Sequence, residues 1–236
     1  MGDRGPDNHS EVTDFILVGF RVCPELHTLL FLVFLLVYAM ILLGNVGMMT
    51  IIMTDPRLNT PMYFFLGNLS FIDLFYSSVI ASKAMINFWS ESKSISFAGC
   101  VTQLFLFTLF IVAEGFLLAA MAYDRFIAIC NPLLYSVQMS ARLCMQLVAS
   151  SYLCGCISSV LQTSITFTLS FCGSRAIDHF YCDTRPLQRI SCSDLFISRI
   201  ISFSLSSIII LPTIIVIIIS YLYIVSTVLK IRESLL

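Results

Sequence analysis

Residues 121–130 read Met-Ala-Tyr-Asp-Arg-Phe-Ile-Ala-Ile-Cys, and this stretch closes a long apolar segment. Asp124 and Arg125 are therefore adjacent charges at the point where a membrane helix would leave the bilayer. Charges are costly at bilayer depth, so an ionisable pair in such a segment usually has a function. The simpler interpretation is that Arg125 reaches the membrane surface and Asp124 is its local counter-ion. Both interpretations predict a membrane protein, and they differ on whether the pair takes part in signalling.

The composition excludes an ordinary soluble domain. Of the 236 residues, 58% are hydrophobic and 11% are charged, whereas a soluble domain carries roughly 25% charged residues. The mean hydropathy is +0.93. A formal net charge of -1 gives no reason to expect a nucleic-acid partner. Because no pairing of a nucleophile with a base stands out, the sequence does not predict an enzyme.

Five apolar segments reach the length of about 20 residues that a membrane span needs. They cover residues 26–53, 62–88, 98–129, 143–169 and 197–231. The sequence thus predicts an all-α transmembrane fold, a helical bundle in which a polar tail (1–25) precedes a membrane domain (26–236) embedded in lipid.

A glycosylation sequon and four cysteines indicate how the bundle is oriented. Asn8 opens an Asn-His-Ser sequon in the polar tail, and it is usable only if the tail faces the lumen. The same orientation places Cys100, Cys172, Cys182 and Cys192 outside, where disulfides persist. Four cysteines allow three pairings, and their spacing alone does not choose among them.

Two carboxylates and an amide fall within the predicted spans. Asp73 and Glu114 each lie near the middle of a span, and Asn45 lies at comparable depth. A carboxylate there either takes a proton or finds a cation. One hypothesis is a polar cluster that binds a cation such as sodium. A second is protonated acids that hydrogen-bond between helices, and a third is a transport site.

Several motifs in order resemble those of vertebrate olfactory receptors, which are rhodopsin-like G-protein-coupled receptors. Residues 121–130 resemble the family's third-helix signature. Further matching segments are Gly44-Asn45, Pro61 to Leu66, Leu69 to Asp73, Phe171 to Gly173, His179 to Asp183, Ser191-Cys192, Ser220-Tyr221 and Val228 to Ile231. The resemblance implies the first five helices of a seven-helix bundle, and a receptor that detects small volatile odorants in the sense of smell.

The resemblance also implies roles at the inner end of the bundle. Asp124 and Arg125 would hold the inactive state and then meet a heterotrimeric G protein of the olfactory stimulatory type. Tyr221 would support that switch from the fifth helix. Phe126 stands where the family usually has Tyr, which removes one hydroxyl. The resemblance further implies that Asp73 and Glu114 form a sodium-linked polar site, and it implies no other cofactor.

At the outer end, the resemblance implies a disulfide from Cys100 to Cys182 and another from Cys172 to Cys192. It places an odorant between the third, fifth and sixth helices, under the long loop. The candidate contact residues are Phe107, Thr108, Ile111, Val112, Leu205, Ser206 and Ile209. They are mostly apolar, which suits a small volatile ligand. For each of them, ordinary helix packing is the alternative.

After Ile231 the family continues into a sixth and a seventh helix, whereas this chain reads Arg-Glu-Ser-Leu-Leu from Arg232 to Leu236. The sequence therefore predicts a receptor domain cut short before the sixth helix. Three functions stay open: an odorant receptor in the plasma membrane with its N-terminus outside, a non-signalling fragment retained in the endoplasmic reticulum, and an ion transporter.

Overall fold

The computed structural model describes residues 14–17, 24–89, 94–171, 176–177, 179, 181–193 and 195–234. Five helices in these ranges are long and apolar enough to cross a membrane. Their spans are Thr28–Thr54, Pro61–Ala81, Phe97–Cys130, Ala141–Phe167 and Leu195–Glu233. The predicted all-α membrane bundle is thus confirmed for the described part of the chain.

The elements follow one another as long helices joined by short links. In chain order they are β1 (Asp14–Leu17), α1 (Pro24–Thr54), α2 (Pro61–Trp89), β2 (Ser94–Ser96), α3 (Phe97–Cys130), α4 (Tyr135–Gln138), α5 (Ala141–Phe167), β3 (Ala176–Ile177), α6 (Thr184–Arg189) and α7 (Leu195–Ser234). The membrane helices are α1, α2, α3, α5 and α7. Helix α1 begins at Pro24, which lies inside the predicted tail (1–25). The division of the chain into a tail and a membrane domain stays a prediction.

Hydroxyl and carboxylate side chains set where several helices begin. The side chain of Ser96 accepts a hydrogen bond from the Gly99 amide at 3.1 Å at the start of α3. Ser140 does the same for the Leu143 amide at 3.4 Å, so α5 starts at Ala141 rather than at residue 143. Such caps satisfy amide groups that the first turn of a helix leaves unpaired.

A three-stranded sheet covers one end of the bundle, and the sequence did not predict it. Strand β1 lies in the middle, antiparallel to β2 and parallel to β3. Phe15 pairs with Ile95 across the first ladder, and Leu17 pairs with Ile177 across the second. The side chains of Phe15 and Leu17 are fully buried. Residues 14–17 are therefore part of the folded domain.

Two apolar clusters hold the molecule together. One lies under the sheet and includes Phe15, Leu17, Leu104 and Leu187. The other lies where α2, α3 and α5 pack, and it includes Phe65 and Leu117 among its members. The end that carries the sheet also contains the Cys100–Cys182 bond, and we call it the disulfide end. The opposite end of α3 is called the Asp124 end.

Helices α3 and α5 approach each other closely at Gly155. A β-carbon at this position would lie 2.7 Å from the carbonyl oxygen of Leu109, which is well inside van der Waals contact. Small residues at such crossings let membrane helices pack by their backbones. This crossing fixes α5 against the middle of α3, between the two ends of the bundle.

Candidate functional site

The carboxylate of Asp124 is buried and hydrogen-bonded. Only 2% of the Asp124 surface is exposed, and its Oδ1 accepts a hydrogen bond from the Tyr135 hydroxyl at 2.9 Å. Burial raises the pKa of Tyr135 to about 12, and the bond to Asp124 adds to this rise. The phenol therefore stays protonated and keeps donating at physiological pH. Tyr135 was not among the predicted site residues.

The turn after α3 brings Tyr135 into reach. Pro132 begins a tight helical turn that ends at Leu134, and α4 follows directly. Proline is favoured at such a first position because its fixed φ suits the helix and its missing amide would be unpaired. The chain thus folds back beneath α3 within eleven residues of Asp124. In the sequence, the available signal for this bond was a tyrosine, Tyr135, that closely follows Pro132.

The other predicted switch residues are arranged differently. The side chain of Arg125 is exposed, and so is that of Tyr221. The ring of Phe126 lies 5.6 Å from that of Tyr223 on α7. One turn further along, the thiol of Cys130 and the hydroxyl of Thr227 are 3.2 Å apart. Helices α3 and α7 therefore meet through Phe126 and Cys130 at the Asp124 end.

The structure brings together two members of the predicted polar cluster. Asp73 and Glu114 are half-buried on α2 and α3, and they lie close enough for their charges to interact. The amide of Asn45 donates to the carbonyl of Ile41 in its own helix at 3.1 Å. Within the described ranges, no group of three or more His, Cys, Asp or Glu side chains could hold a metal ion.

Among the predicted odorant contacts, Phe107 has the most defined surroundings. Its ring centroid lies 5.3 Å from that of Tyr76 on α2 and 5.4 Å from that of Tyr181 in the loop before α6. Burial raises the pKa of Tyr181 above its usual value, and the charge of Asp183 adds to the effect. Neither Tyr76 nor Tyr181 was predicted as a site residue.

The remaining odorant candidates lie on α3 and α7. Half-buried side chains are found at Thr108, Val112, Leu205 and Ile209, and exposed ones at Ile111 and Ser206. The hydroxyl of Ser206 donates to the carbonyl of Ser202 at 2.9 Å. This local bond satisfies the hydroxyl donor of Ser206 within its own helix.

Gln103 joins three elements at the disulfide end. Its side-chain amide donates to the carbonyl of Val79 on α2 at 3.0 Å, and its Oε1 accepts from the amide of Cys182 at 3.0 Å. Gln103 is 5% exposed. Both ends of the buried amide are thus satisfied, and the loop is fixed to α2 and α3 beside the disulfide.

A second buried glutamine joins α5, α6 and α7. The Nε2 of Gln162 donates to the hydroxyl of Thr184 at 3.2 Å and to that of Ser202 at 3.1 Å. Nearby, Gln188 donates to Ser198 at 3.3 Å. These hydrogen bonds attach α6 to both α5 and α7. In the sequence, Gln162 lies in a serine- and threonine-rich stretch that gave no indication of its partners.

The predicted disulfides have different outcomes. Cys100 and Cys182 are bonded, with their Cα atoms 5.5 Å apart, so this pairing is confirmed. Cys192 is disulfide-bonded, but Cys172 lies outside the described residues, and the Cys172–Cys192 pairing stays a prediction. The predicted glycosylation site at Asn8 also lies outside them.

Comparisons of this chain with a family profile and with individual proteins indicate the same family. A family profile described as "Olfactory receptor" matches residues 34–234. Olfactory receptor 9K2 of Homo sapiens is 86% identical over 234 residues, which are 99% of this chain and 70% of that protein. Olfactory receptor 5I1 of Homo sapiens is 52% identical over 96% of the chain and 72% of its own length.

Olfactory receptor 5AR1 of Mus musculus is 50% identical over 97% of the chain and 74% of its own length. Identity at this level over nearly the whole chain agrees with the match to the family profile. The chain is a multi-pass membrane protein and belongs to the olfactory receptor family.

Proposed function

We propose that the chain detects small volatile odorants and couples to a heterotrimeric G protein of the stimulatory olfactory type. The observation that carries this proposal is the family match over residues 34–234. The two ends of the bundle suit the two tasks, since one has a loop fixed over the helices and the other has a buried carboxylate beside an exposed arginine.

The odorant would bind at the disulfide end, between α3 and α7 and under the loop that ends in α6. Gln103 and the Cys100–Cys182 bond fix this loop. Because the loop is already ordered, less of the binding free energy is lost in ordering it when a ligand binds. The predicted contact residues offer apolar surface and the hydroxyl of Thr108. This chemistry suits small, weakly polar molecules.

The Asp124 end would form the switch. In the described state, Asp124 is bonded to Tyr135, while Arg125 is exposed. An exposed guanidinium can donate several hydrogen bonds to a partner protein. We expect activation to release the bond from Tyr135 and to engage Arg125 with the G protein. Phe126 and Tyr221 would adjust how α3 and α7 meet during this step.

We further propose that Asp73 and Glu114 share a sodium ion. Two carboxylates at close range do not both carry a charge unless a cation or a proton compensates. Their oxygen atoms are suitable ligands for a hard cation. The side-chain amide oxygen of Asn45 is a further candidate ligand in the predicted cluster. Sodium would hold α2 to α3 by neutralising this pair.

We place the chain in the plasma membrane, with the N-terminus and the disulfide end outside. Disulfides persist in oxidising compartments, which supports an outer position for Cys100 and Cys182. Antibody labelling of an N-terminal tag on intact cells tests this orientation. Labelling only after permeabilisation would contradict the plasma-membrane location, and co-staining with a marker of the endoplasmic reticulum would then show where the chain resides.

The function itself is tested by odorant-evoked cyclic AMP in cells that express the 236-residue chain. We expect one or more odorants of a chemically broad panel to raise cyclic AMP in a concentration-dependent way, and Arg125→Ala to abolish the rise at equal expression. If no odorant raises cyclic AMP while the chain reaches the cell surface, the proposed function is wrong.

A further inference from the structure

Three aromatic rings from three different segments meet at the disulfide end. Tyr76 comes from α2, Phe107 from α3 and Tyr181 from the loop before α6. The ring centroid of Phe107 lies 5.3 Å from that of Tyr76 and 5.4 Å from that of Tyr181, and the ring planes are inclined by 31° and 30°. The three rings therefore form a continuous aromatic surface.

The three residues of this surface are partly exposed. Tyr76, Phe107 and Tyr181 are all half-buried, whereas a ring that serves only the core, such as that of Phe65, is fully buried. The ring of His179 lies 4.4 Å from that of Tyr181, at right angles to it. It supports Tyr181 edge-on, from the loop.

The position of Tyr181 is fixed by its neighbour in the chain. Cys182 is tied to α3 by the disulfide, and its amide donates to the buried side chain of Gln103. The same glutamine donates to Val79 on α2, the helix that carries Tyr76. Gln103 is therefore a positioning residue that sets the loop ring against the two helix rings.

We propose that Tyr76, Phe107 and Tyr181 form a subsite that recognises the aromatic ring of an odorant. The inference rests on the proposed odorant-binding function and names the ligand class. Aromatic rings attract one another in offset and edge-on arrangements, because each has a negative face and a positive edge. A saturated ring of equal size buries similar apolar area but lacks this charge pattern.

Matched pairs of ligands separate ring recognition from simple apolar burial. The purified chain in lipid nanodiscs is titrated with benzaldehyde and cyclohexanecarbaldehyde, and with acetophenone and cyclohexyl methyl ketone. The midpoint of thermal unfolding reports binding. We expect each aromatic member to bind about 2- to 10-fold more tightly than its saturated partner, which is the range expected for one aromatic pair.

Variants test whether the three rings cause the preference. We expect Phe107→Leu and Tyr181→Leu to bring the affinity ratio close to one, and Tyr181→Phe to keep it because the ring remains. Phe64→Leu is the matched control, since Phe64 is an exposed phenylalanine of α2 that does not belong to the three-ring surface. The unfolding midpoint without ligand shows whether each variant is folded, and Tyr181→Phe against Tyr181→Leu is the decisive comparison.

The outcomes separate this inference from the proposed function. Binding of aromatic and saturated partners with equal affinity would overturn the aromatic subsite and leave the odorant-binding function standing. A preference that survives both Phe107→Leu and Tyr181→Leu would also overturn the subsite. If none of these ligands nor any member of a wide odorant panel shifts the midpoint, the proposed function fails and the subsite fails with it.

Discussion

The carboxylate of Asp124 is buried away from solvent, and the hydroxyl of Tyr135 donates a hydrogen bond to it at 2.9 Å. Gln103 and Gln162 follow the same rule at the disulfide end, because each buried amide bonds to groups on other elements. Leaving a buried polar group without a partner costs more than the bond itself contributes. These single residues therefore connect elements that lie far apart in the chain.

Removing the phenol oxygen of Tyr135 tests its role directly. We expect Tyr135→Phe to lower the free energy of unfolding by about 1–3 kcal/mol, because Asp124 loses its hydrogen-bond donor. Basal cyclic AMP should rise, since the bond holds the resting state. Tyr123→Phe is the control, because Tyr123 is an exposed tyrosine of α3, next to Asp124 in the chain. Equal midpoints of thermal unfolding for the two variants would contradict this role of Tyr135.

The pH dependence of the same bond follows from the raised pKa of Tyr135. An unfolded tyrosine titrates near 10, whereas in the folded chain the pKa is about 12. The folded state thus holds the proton more tightly, and this contribution is complete below about pH 10 and lost as the pH rises through about 12.

We therefore expect the difference in stability between the native chain and Tyr135→Phe to stay constant from about pH 7 to about pH 9 and to shrink above about pH 10. Thermal unfolding across this range measures the difference. A change near neutral pH would mean that another group controls the bond.

At the scale of elements, the helices were largely predictable and their contacts were not. Runs of apolar residues predicted all five spans, and caps such as Ser140 account for shifts at their ends. Strand β1 was missed because it has four residues and its partners begin at Ser94 and Ala176. Such short strands are stabilised by distant pairing and leave little pattern in the sequence.

The crossing of α3 and α5 depends on the missing side chain of Gly155. We expect Gly155→Ala to lower the free energy of unfolding by about 1–3 kcal/mol, because the added methyl group overpacks the contact. Its β-carbon would meet the carbonyl oxygen of Leu109 at 2.7 Å. Gly115→Ala is the matched control, since a β-carbon there has no neighbour within 4 Å. Urea unfolding in detergent micelles measures both, and similar losses would contradict the close crossing.

The junction of α2 and α3 at Asp73 and Glu114 predicts a dependence on sodium. A ligand that binds only the folded state stabilises it by about 1.4 kcal/mol at roughly ten times its Kd. We expect the unfolding midpoint to be higher in sodium chloride than in choline chloride at equal ionic strength, and Asp73→Asn to remove the difference. Equal midpoints in the two salts would favour protonated carboxyl groups that bond between helices.

For the molecule as a whole, the disulfide end is assembled from segments that lie far apart in the chain. The N-terminal strand lies between β2 and β3, and Phe15 stacks with Phe97 at 6.2 Å and contacts Phe171 edge-on at 5.6 Å. Of the contacts that the structure shows at this end, the Cys100–Cys182 bond was predicted, and that prediction came from the family resemblance. The motifs indicated where the two functional ends lie. Which residues contact each other inside each end could be seen only in the folded structure.

The buried strand residue Phe15 should therefore matter more than its exposed neighbour. We expect Phe15→Ala to cost about 3–5 kcal/mol of stability, which is the usual loss for a buried phenylalanine. Ile16 is 50% exposed, and Ile16→Ala should change stability by less than about 1 kcal/mol. Thermal unfolding of both variants decides whether the N-terminal strand is a structural part of the receptor.

In the proposed function, odorant binding at one end of the bundle controls the G protein through Asp124 and Arg125 at the other end. The most direct measurement is nucleotide exchange by a purified stimulatory G protein, added to the chain in nanodiscs with and without a bound odorant. We predict that the odorant accelerates exchange, and that Arg125→Ala removes the acceleration without changing odorant affinity. An odorant that binds but leaves the exchange rate unchanged, or an Arg125→Ala chain that still accelerates exchange, would contradict this coupling between the two ends.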